Sequence, residues 1–340
     1  MSKSYESLHT HTVISDGKFT HLDILNMAPK YNIGTVAFTD HDILPDRATL
    51  KMLERNRDHR TKWIIGCEFS SLLPKELDKN GKNSLHILGL FLDPRNKDLM
   101  AYSKQVLAGR VASVKEKIIC LKDLGFDISY KDCRRTDGGA IAKTHLVETM
   151  MLKEKNRKII DLWLEKMAQE SKHNLTIKKK YDFLIKRGKV HSPYVFLKDH
   201  VYRKDDREAP SLLDLDKVVN LIRGAGGIAS LAHWAFSKEV LSLKNIEKLF
   251  KDNRLDGAEI IFGSNKDRKV KKEMDEDMRL MKDLVVKYNK IPTGGPDMHT
   301  EEDFAYLFSR KSVAKQTIGL TQNIIDKTNV DLKFSSLNRE

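Results

Sequence analysis

Short apolar runs and amphipathic stretches alternate along much of the chain. The runs TVAFT (35–39), WIIGCEF (63–69), LHILGLFL (85–92), GIASLAH (227–233), DGAEIIF (256–262) and IPTGG (291–295) are short and mostly β-branched or apolar, so each predicts a buried strand. Between them, 44–57, 212–224, 242–252 and 266–288 repeat apolar residues at spacings of three and four, which predicts helices with one buried face. Alternation of this kind predicts an α/β fold, either a parallel barrel or a doubly wound sheet. The rhythm lapses between about 98 and 205. There the stripe Leu99, Val106, Val114, Ile118, Leu121 and Leu124, closed by Gly125, predicts long helices. The domain reading is therefore an α/β core over 1–98, a mainly helical insertion over 99–205, and the core resumed over 206–340.

Composition narrows the class. The 340 residues suffice for one large core with an inserted domain. No run approaches the ~18 apolar residues of a membrane span, and no apolar leader precedes the first motif, so a cytoplasmic location is expected. Cys67, Cys120 and Cys133 are odd in number and far apart, which excludes a disulfide framework and a cysteine zinc site and leaves them as small hydrophobes. The net charge is +13, and 153–189 alone holds twelve Lys/Arg against five Asp/Glu, so the excess is concentrated in the insertion. A localised excess of this sign favours polyanionic partners.

The chemistry begins at His9-x-His11. Two residues apart on an extended chain, both imidazoles face one way and can grip one ion. Asp16 follows in a polar turn, and TVAFT runs into Asp40-His41-Asp42. Glu68 follows WIIGC, His86 lies in LHILGLF, His233 closes GIASLAH, and Asp297 and His299 follow IPTGG. The C-terminal ends of strands are where α/β folds assemble sites. Imidazole and carboxylate without thiolate suit Mn, Fe or Zn rather than a structural zinc or a calcium cage.

The ordered strings LHTHTVISDG, FTDHD, GCEFS, LHILG, LAHW and GGPDMH resemble the PHP family, the polymerase and histidinol phosphatase superfamily of metal phosphoesterases. The insertion, with AKTHLVETM and a later RGK, resembles the bacterial branch of nucleotide 3′-phosphatases and 5′-to-3′ exoribonucleases. The resemblance implies a distorted (β/α)7 TIM-like barrel with two or three divalent ions (Mn, Fe or Zn) at its strand ends. It implies that His9, His11, Glu68 and Asp297 hold one metal, that Glu68 bridges to a second held by His86 and His233, and that Asp16, His41 and His299 hold a third. The catalytic group implied is a metal-bound water or hydroxide with His41 and His299 nearby. Asp40 and Glu259 are read as carboxylates that support the ligands. Lys143, His145 and Lys189 are the candidates for gripping phosphate oxygens. Three positions depart from the pattern: Trp234 and Pro296 beside ligands, and Lys143 where an Arg is usual, which trades a bidentate fork for a point charge. The expected function is hydrolysis of a phosphate ester of a nucleotide or short RNA or DNA end, of the 3′,5′-bisphosphate nucleotidase or exoribonuclease type. The alternatives are a small-molecule phosphatase such as histidinol phosphatase, and a non-catalytic PHP module that binds nucleic acid or a partner.

Overall fold

The computed structural model describes residues 4–78, 83–133, 141, 143–188, 191–201, 212–264 and 271–337. Backbone contacts divide the chain into two compact units, 1–107 with 211–340, and 108–210. The division falls inside one long helix, Lys97–Asp123.

The first unit is built on a mixed α/β sheet of eight strands: β1 (Tyr5–Ser7), β2 (Ile33–Phe38), β3 (Lys62–Leu72), β4 (Ser84–Leu90), β5 (Leu213–Asp214), β6 (Ile228–Leu231), β7 (Gly257–Ile261) and β8 (Ile291–Gly294). Their order is β1-β2-β3-β4-β6-β7-β8, with β5 paired to β3. The expected strands are present, and β1 and β5 add to them. The all-parallel expectation needs correction, because β4 runs antiparallel to both β3 and β6. Residues 73–83 join β3 to β4 in too few residues for a crossover helix, and a strand returned by a short connection pairs antiparallel.

Period-two alternation then sorts the side chains. Along β3, Trp63, Ile65, Cys67 and Phe69 enter one hydrophobic cluster, while Ile64 enters another. Val36 and Phe38 of β2, and Leu85 and Ile87 of β4, join the first cluster; Ala37, Leu88 and Leu90 join the second. The first cluster is covered by amphipathic helices such as Leu215–Gly224, Leu243–Lys251 and Lys271–Lys287, which supply Val218, Ile222, Ile246, Leu249 and Met281. Fully burying a Phe or Leu side chain contributes about 1.5–3 kcal/mol, so this cluster carries much of the unit's stability. On the other face the side chains that follow Ile64 and precede Leu88 in alternation are Glu68 and His86. The same pleat that buries Phe69 against helices therefore turns Glu68 towards the second face.

The second unit is helical: Lys143–Leu152, Glu154–Glu170, Leu175–Arg187 and Ser192–His200 pack around Val114, Ile118, Leu121, Ile160, Leu164, Leu184 and Phe196. Buried Asn156 is fully used, accepting from the Asp127 N–H at 2.7 Å and donating to the carbonyls of Asp127 and Met150. Leu124 departs from the expected stripe. Helix Lys97–Asp123 has ended before it, the chain turns at Gly125 (φ 90°), and Leu124 is 41% exposed. Among the described residues, no helix is long and apolar enough to cross a membrane.

Candidate metal centre

The site is assembled from backbone that the sheet brings together. The Leu8 N–H donates to the Gly294 carbonyl at 3.0 Å and the His11 N–H to that of Met298 at 2.8 Å, so the first motif lies against the last. Gly295 makes this approach possible: a Cβ there would sit 2.6 Å from the His9 nitrogen. On the other side, the Glu68 N–H donates to Asp40 and the Asp42 N–H to Glu68, which sets His41 beside Glu68. Glu68 is not at a strand end, as the sequence suggested, but inside eleven-residue β3, which continues because β4 pairs with it through Leu72. His86 pairs with Ser70 in that register, so the reversed strand delivers it beside Glu68.

Glu68 is the hub. Its Oε2 lies 3.0 Å from His41 Nδ1, 3.2 Å from His11 Nε2 and 3.3 Å from His9 Nε2; its Oε1 lies 2.8 Å from both His86 Nδ1 and His233 Nε2. Asp297 Oδ1 stands 3.1 Å from His11 Nε2 and 3.4 Å from His9 Nε2. Asp16 Oδ1 stands 3.2 Å from His299 Nε2 and 3.8 Å from His41 Nε2. Among the described residues, three groups could each hold an ion, with ligand atoms within 4.8 Å of one another: His9, His11, Glu68 and Asp297; His11, Asp16, His41 and His299; His41, Glu68 and His86. His41 stands between two of these groups, a sharing that spacing along the chain does not reveal. His233 meets them through Glu68 and through His86, whose Nδ1 is 3.3 Å from its Nε2.

A cation fits this donor set. Buried Asp16 Oδ1, Glu68 Oε2 and His233 Nδ1 have no hydrogen bond of acceptable geometry, although imidazole nitrogens lie close to both carboxylate oxygens. Buried polar atoms are rarely left so, and an ion is one of the usual reasons. Nitrogen and oxygen atoms 3.0–3.4 Å apart also match the edge of a tetrahedron with metal bonds of about 2.0–2.1 Å, which is about 3.4 Å.

Buried carboxylates hydrogen-bond the ligand candidates and the loops that carry them. Glu259 Oε1 lies 3.1 Å from His9 Nδ1 and its Oε2 accepts the His233 N–H at 2.7 Å, so one carboxylate fixes two ligands. Asp40 accepts from the Thr12 N–H at 2.7 Å, the Thr12 hydroxyl at 2.8 Å and the Ser15 hydroxyl at 2.5 Å, shaping the loop between His11 and Asp16. His299 Nδ1 faces the Asp297 carbonyl at 2.9 Å, and Asp303 accepts the His299 N–H at 3.0 Å while capping helix Glu301–Ser309. Thr12 and Ser15 carry no spacing signal in the sequence, because hydroxyls between motifs are common. Asp42, which the sequence marks only as a neighbour of His41, has a carboxylate that accepts from the Ser70 N–H and hydroxyl and from the Tyr102 hydroxyl.

The charges are tightly linked. Burial opposes charge on His11, but its close contacts with the carboxylates of Asp297 and Glu68 push its pKa up to about 10. Burial likewise opposes charge on His9, where the carboxylates of Glu259, Glu68 and Asp297 drive it well up, and on His86, raised by Glu68. His299 is also raised, against burial and the nearby His11, by Asp297 and Asp16. Burial would raise Glu68, yet His41, His86 and His9 hold its carboxyl well below the usual range. Asp16 is held down against burial by His41 and His299, and Asp297 by His299 and His9.

A model of the PHP domain matches residues 7–230, about two thirds of the chain. The chain belongs to the PHP domain family. This PHP chain is 23% identical over 258 residues to the 5′-3′ exoribonuclease Rnm of Salmonella typhimurium, covering 74% of this chain and 73% of the relative. It is 25% identical over 230 residues to a 3′,5′-nucleoside bisphosphate phosphatase of Chromobacterium violaceum, covering 66% and 65%. Among solved structures, a protein of Bifidobacterium adolescentis described as a candidate metal-dependent phosphoesterase superposes with TM-score 0.60 at 19% identity, covering 87% of this PHP chain and 88% of that one. That similarity establishes the fold.

All nine ligand candidates lie in the first unit. Of the expected phosphate contacts, His145 is the third residue of helix Lys143–Leu152 in the second unit; the Lys143 side chain and Lys189 lie outside the described residues. His21, which lies in a polar stretch of the sequence, is 3% exposed and packs on Phe38, with burial pushing its pKa down.

Proposed function

We propose that the protein is a divalent-metal-dependent phosphoesterase acting on a nucleotide or on the end of a short oligonucleotide. The observation that carries this reading is the gathering of nine imidazole and carboxylate side chains into one cluster, five of the imidazoles around buried Glu68, with ligand atoms left free of hydrogen bonds. His9, His11, Glu68 and Asp297 are the proposed ligands of one ion, Glu68, His86 and His233 of a second, and Asp16, His41 and His299 of a third. The donor chemistry favours two or three ions of the Mn, Fe or Zn type. The sheet is read as a distorted (β/α)7 barrel, a reading supported by the backbone bonds from Leu8 and His11 to Gly294 and Met298.

Divalent ions held here supply Lewis acidity towards a phosphoryl group and lower the pKa of water. The chain supplies position. With Glu259 on its Nδ1, His9 presents Nε2 to the other ligands, and with the Asp297 carbonyl on its Nδ1, His299 presents Nε2 to Asp16. Glu68, His9 and His11 are sealed from solvent, whereas the side chains of His41 (19%), His299 (14%) and Asp297 (20%) are partly open. A phosphate ester therefore meets the open side, beside His41, His299 and Asp297. The names of the two relatives support a nucleotide substrate. So does the positive segment 153–189, because a small monoester needs no extended basic surface. Lys143, His145 and Lys189 remain the proposed phosphate contacts, and residues 99–205 the proposed insertion. Three free cysteines fit a reducing, cytoplasmic setting.

The test is turnover with Mn of adenosine 3′,5′-bisphosphate, 5′-phosphorylated short RNA and histidinol phosphate, with His9→Ala and Asp297→Ala beside the wild type. Activity on either nucleotide substrate that both substitutions abolish is expected. Turnover of histidinol phosphate alone would end the nucleotide reading, and no activity above the variants on any substrate would end the enzymatic one.

A further inference from the structure

Phe236 is 53% exposed, and its ring centroid lies 5.4 Å from that of His233, tilted by 52°. A single exposed apolar side chain is ordinary, so the weight rests on where this one stands and how it is held. It ends the short turn Trp234–Phe236, immediately after a ligand candidate whose N–H is fixed by Glu259. The Phe236 N–H donates to the His233 carbonyl at 3.0 Å and the Ser237 N–H to that of Trp234 at 2.8 Å. The turn is anchored below by buried Trp234, whose indole N–H donates to the Leu241 carbonyl at 2.7 Å, while the Leu241 N–H returns to Ser237 at 2.8 Å. An aromatic ring is thus held towards solvent on a fixed turn at the rim of the ligand cluster, beside His233 and the partly open His86.

Resting on the phosphoesterase reading above, we propose that Phe236 is the stacking platform for the nucleobase of the nucleotide whose phosphate occupies the site. A pre-ordered ring loses little freedom on binding, and stacking on an aromatic face is open to every base because each has a π-face. Phe236 therefore selects for the presence of a base and discriminates weakly among bases. Its contribution to nucleotide affinity is about 5- to 140-fold, the usual range for one base on one aromatic side chain.

Phe236→Ala and Phe236→Trp are compared with wild type, loaded with Mn, on adenosine 3′,5′-bisphosphate and on ribose 3,5-bisphosphate, which lacks a base. Because the ring is exposed, all three should unfold at the same temperature. The Ala variant is expected to raise KM for the nucleotide by a factor in that range and leave the base-free substrate unchanged, with the Trp variant restoring the nucleotide value. Equal shifts on both substrates, or none on either, would overturn the proposal. A second readout needs no turnover: in EDTA, the extra indole fluorescence of Phe236→Trp over wild type should be quenched by adenosine 5′-monophosphate and not by ribose 5-phosphate. Quenching by neither or by both equally overturns stacking. Quenching by the nucleotide alone in a protein inactive on every ester sustains stacking while the phosphoesterase reading fails.

Discussion

Metal capture by this site is expected to expel protons well above pH 7. Imidazole binds a metal only as the free base, so every ligand histidine still protonated in the metal-free chain must lose its proton when an ion enters. An ordinary histidine is neutral by pH 7.5 and would give up almost nothing. His11 differs, because against burial its contacts with Asp297 and Glu68 carry its pKa from 6.5 to about 10. On the scale of 1.36 kcal/mol per pKa unit the shift is on the order of 5 kcal/mol, counted once for the whole contact and not again for its carboxylate partners. At pH 7 this one group lowers apparent metal affinity about 1,000-fold relative to the fully deprotonated site. His9, His86 and His299 are raised as well and add to the effect. Calorimetric titration of Mn into the apoprotein at pH 8, in two buffers of different ionisation heat, measures the protons released. At least one per chain is expected, with log K rising by one unit or more per pH unit between 7 and 9. His11→Gln should diminish both. No release and a flat log K over that interval would show neutral imidazoles before binding, and would refute the charge-linked description of the cluster.

The remaining predictions concern the same frame. Metal-free stability should peak between about pH 4.5 and 6.5: the raised imidazoles stabilise fully below about 6.5 and lose that contribution as pH climbs through their folded values, while the depressed Asp16, Glu68 and Asp297 stabilise above about 4 and lose theirs as pH falls through their folded values. A thermal midpoint in EDTA that rises steadily from pH 6.5 to 9 would contradict this. Glu259→Gln, which weakens the support of His9 and His233, should cost about 10- to 100-fold in metal affinity by equilibrium dialysis, and unchanged affinity would remove Glu259 from its positioning role. Gly295→Ala must push a methyl against the His9 backbone, and should destabilise by about 1–3 kcal/mol in urea unfolding while weakening metal binding; a neutral effect on both would show that the last motif can step back.

The sequence exposed most of the elements through residue types at a regular interval, and most of the candidate ligands through their recurrence in or just after apolar runs. The run WIIGCEF is short, apolar and flanked by polar residues and forms a buried strand, and the stripe from Leu99 to Leu121 is buried along a single helix. Direction is another matter. LHILGLF reads the same in either sense, and the reversal of β4 follows from a connection whose shortness looks unremarkable beside the motifs. The interior position of Glu68 follows from that reversal, because β4 keeps Phe69–Leu72 paired beyond it. The hydrogen-bond partners were hidden for a further reason. Tyr102 reaches Asp42 from sixty residues away, and neither residue type is rare enough to signal the pair. His21 shows the reverse failing, since a polar neighbourhood in sequence did not prevent its burial against Phe38.

The backbone around the cluster holds ligand candidates in uncommon conformations. His233 (φ 23°), Asp42 (φ 53°) and Asp297 (φ 52°) all have positive φ, a region that L-residues seldom occupy. Such conformations cost of order 1–3 kcal/mol and persist only where the surroundings over-determine them. Here the surroundings do so: three donors converge on the Asp42 carboxylate, Glu259 holds the His233 N–H, and Gly295 lets the Asp297 segment close on His9. The strained residues are themselves ligand candidates or adjoin one, so the strain is spent on aiming donor atoms. Fixed donors around an under-bonded Glu68 oxygen leave protons as the occupants in the metal-free chain, and an entering ion has only to displace them. Proton release and rigid geometry are therefore two consequences of one arrangement, and Glu259→Gln should relax the geometry while His11→Gln diminishes the release.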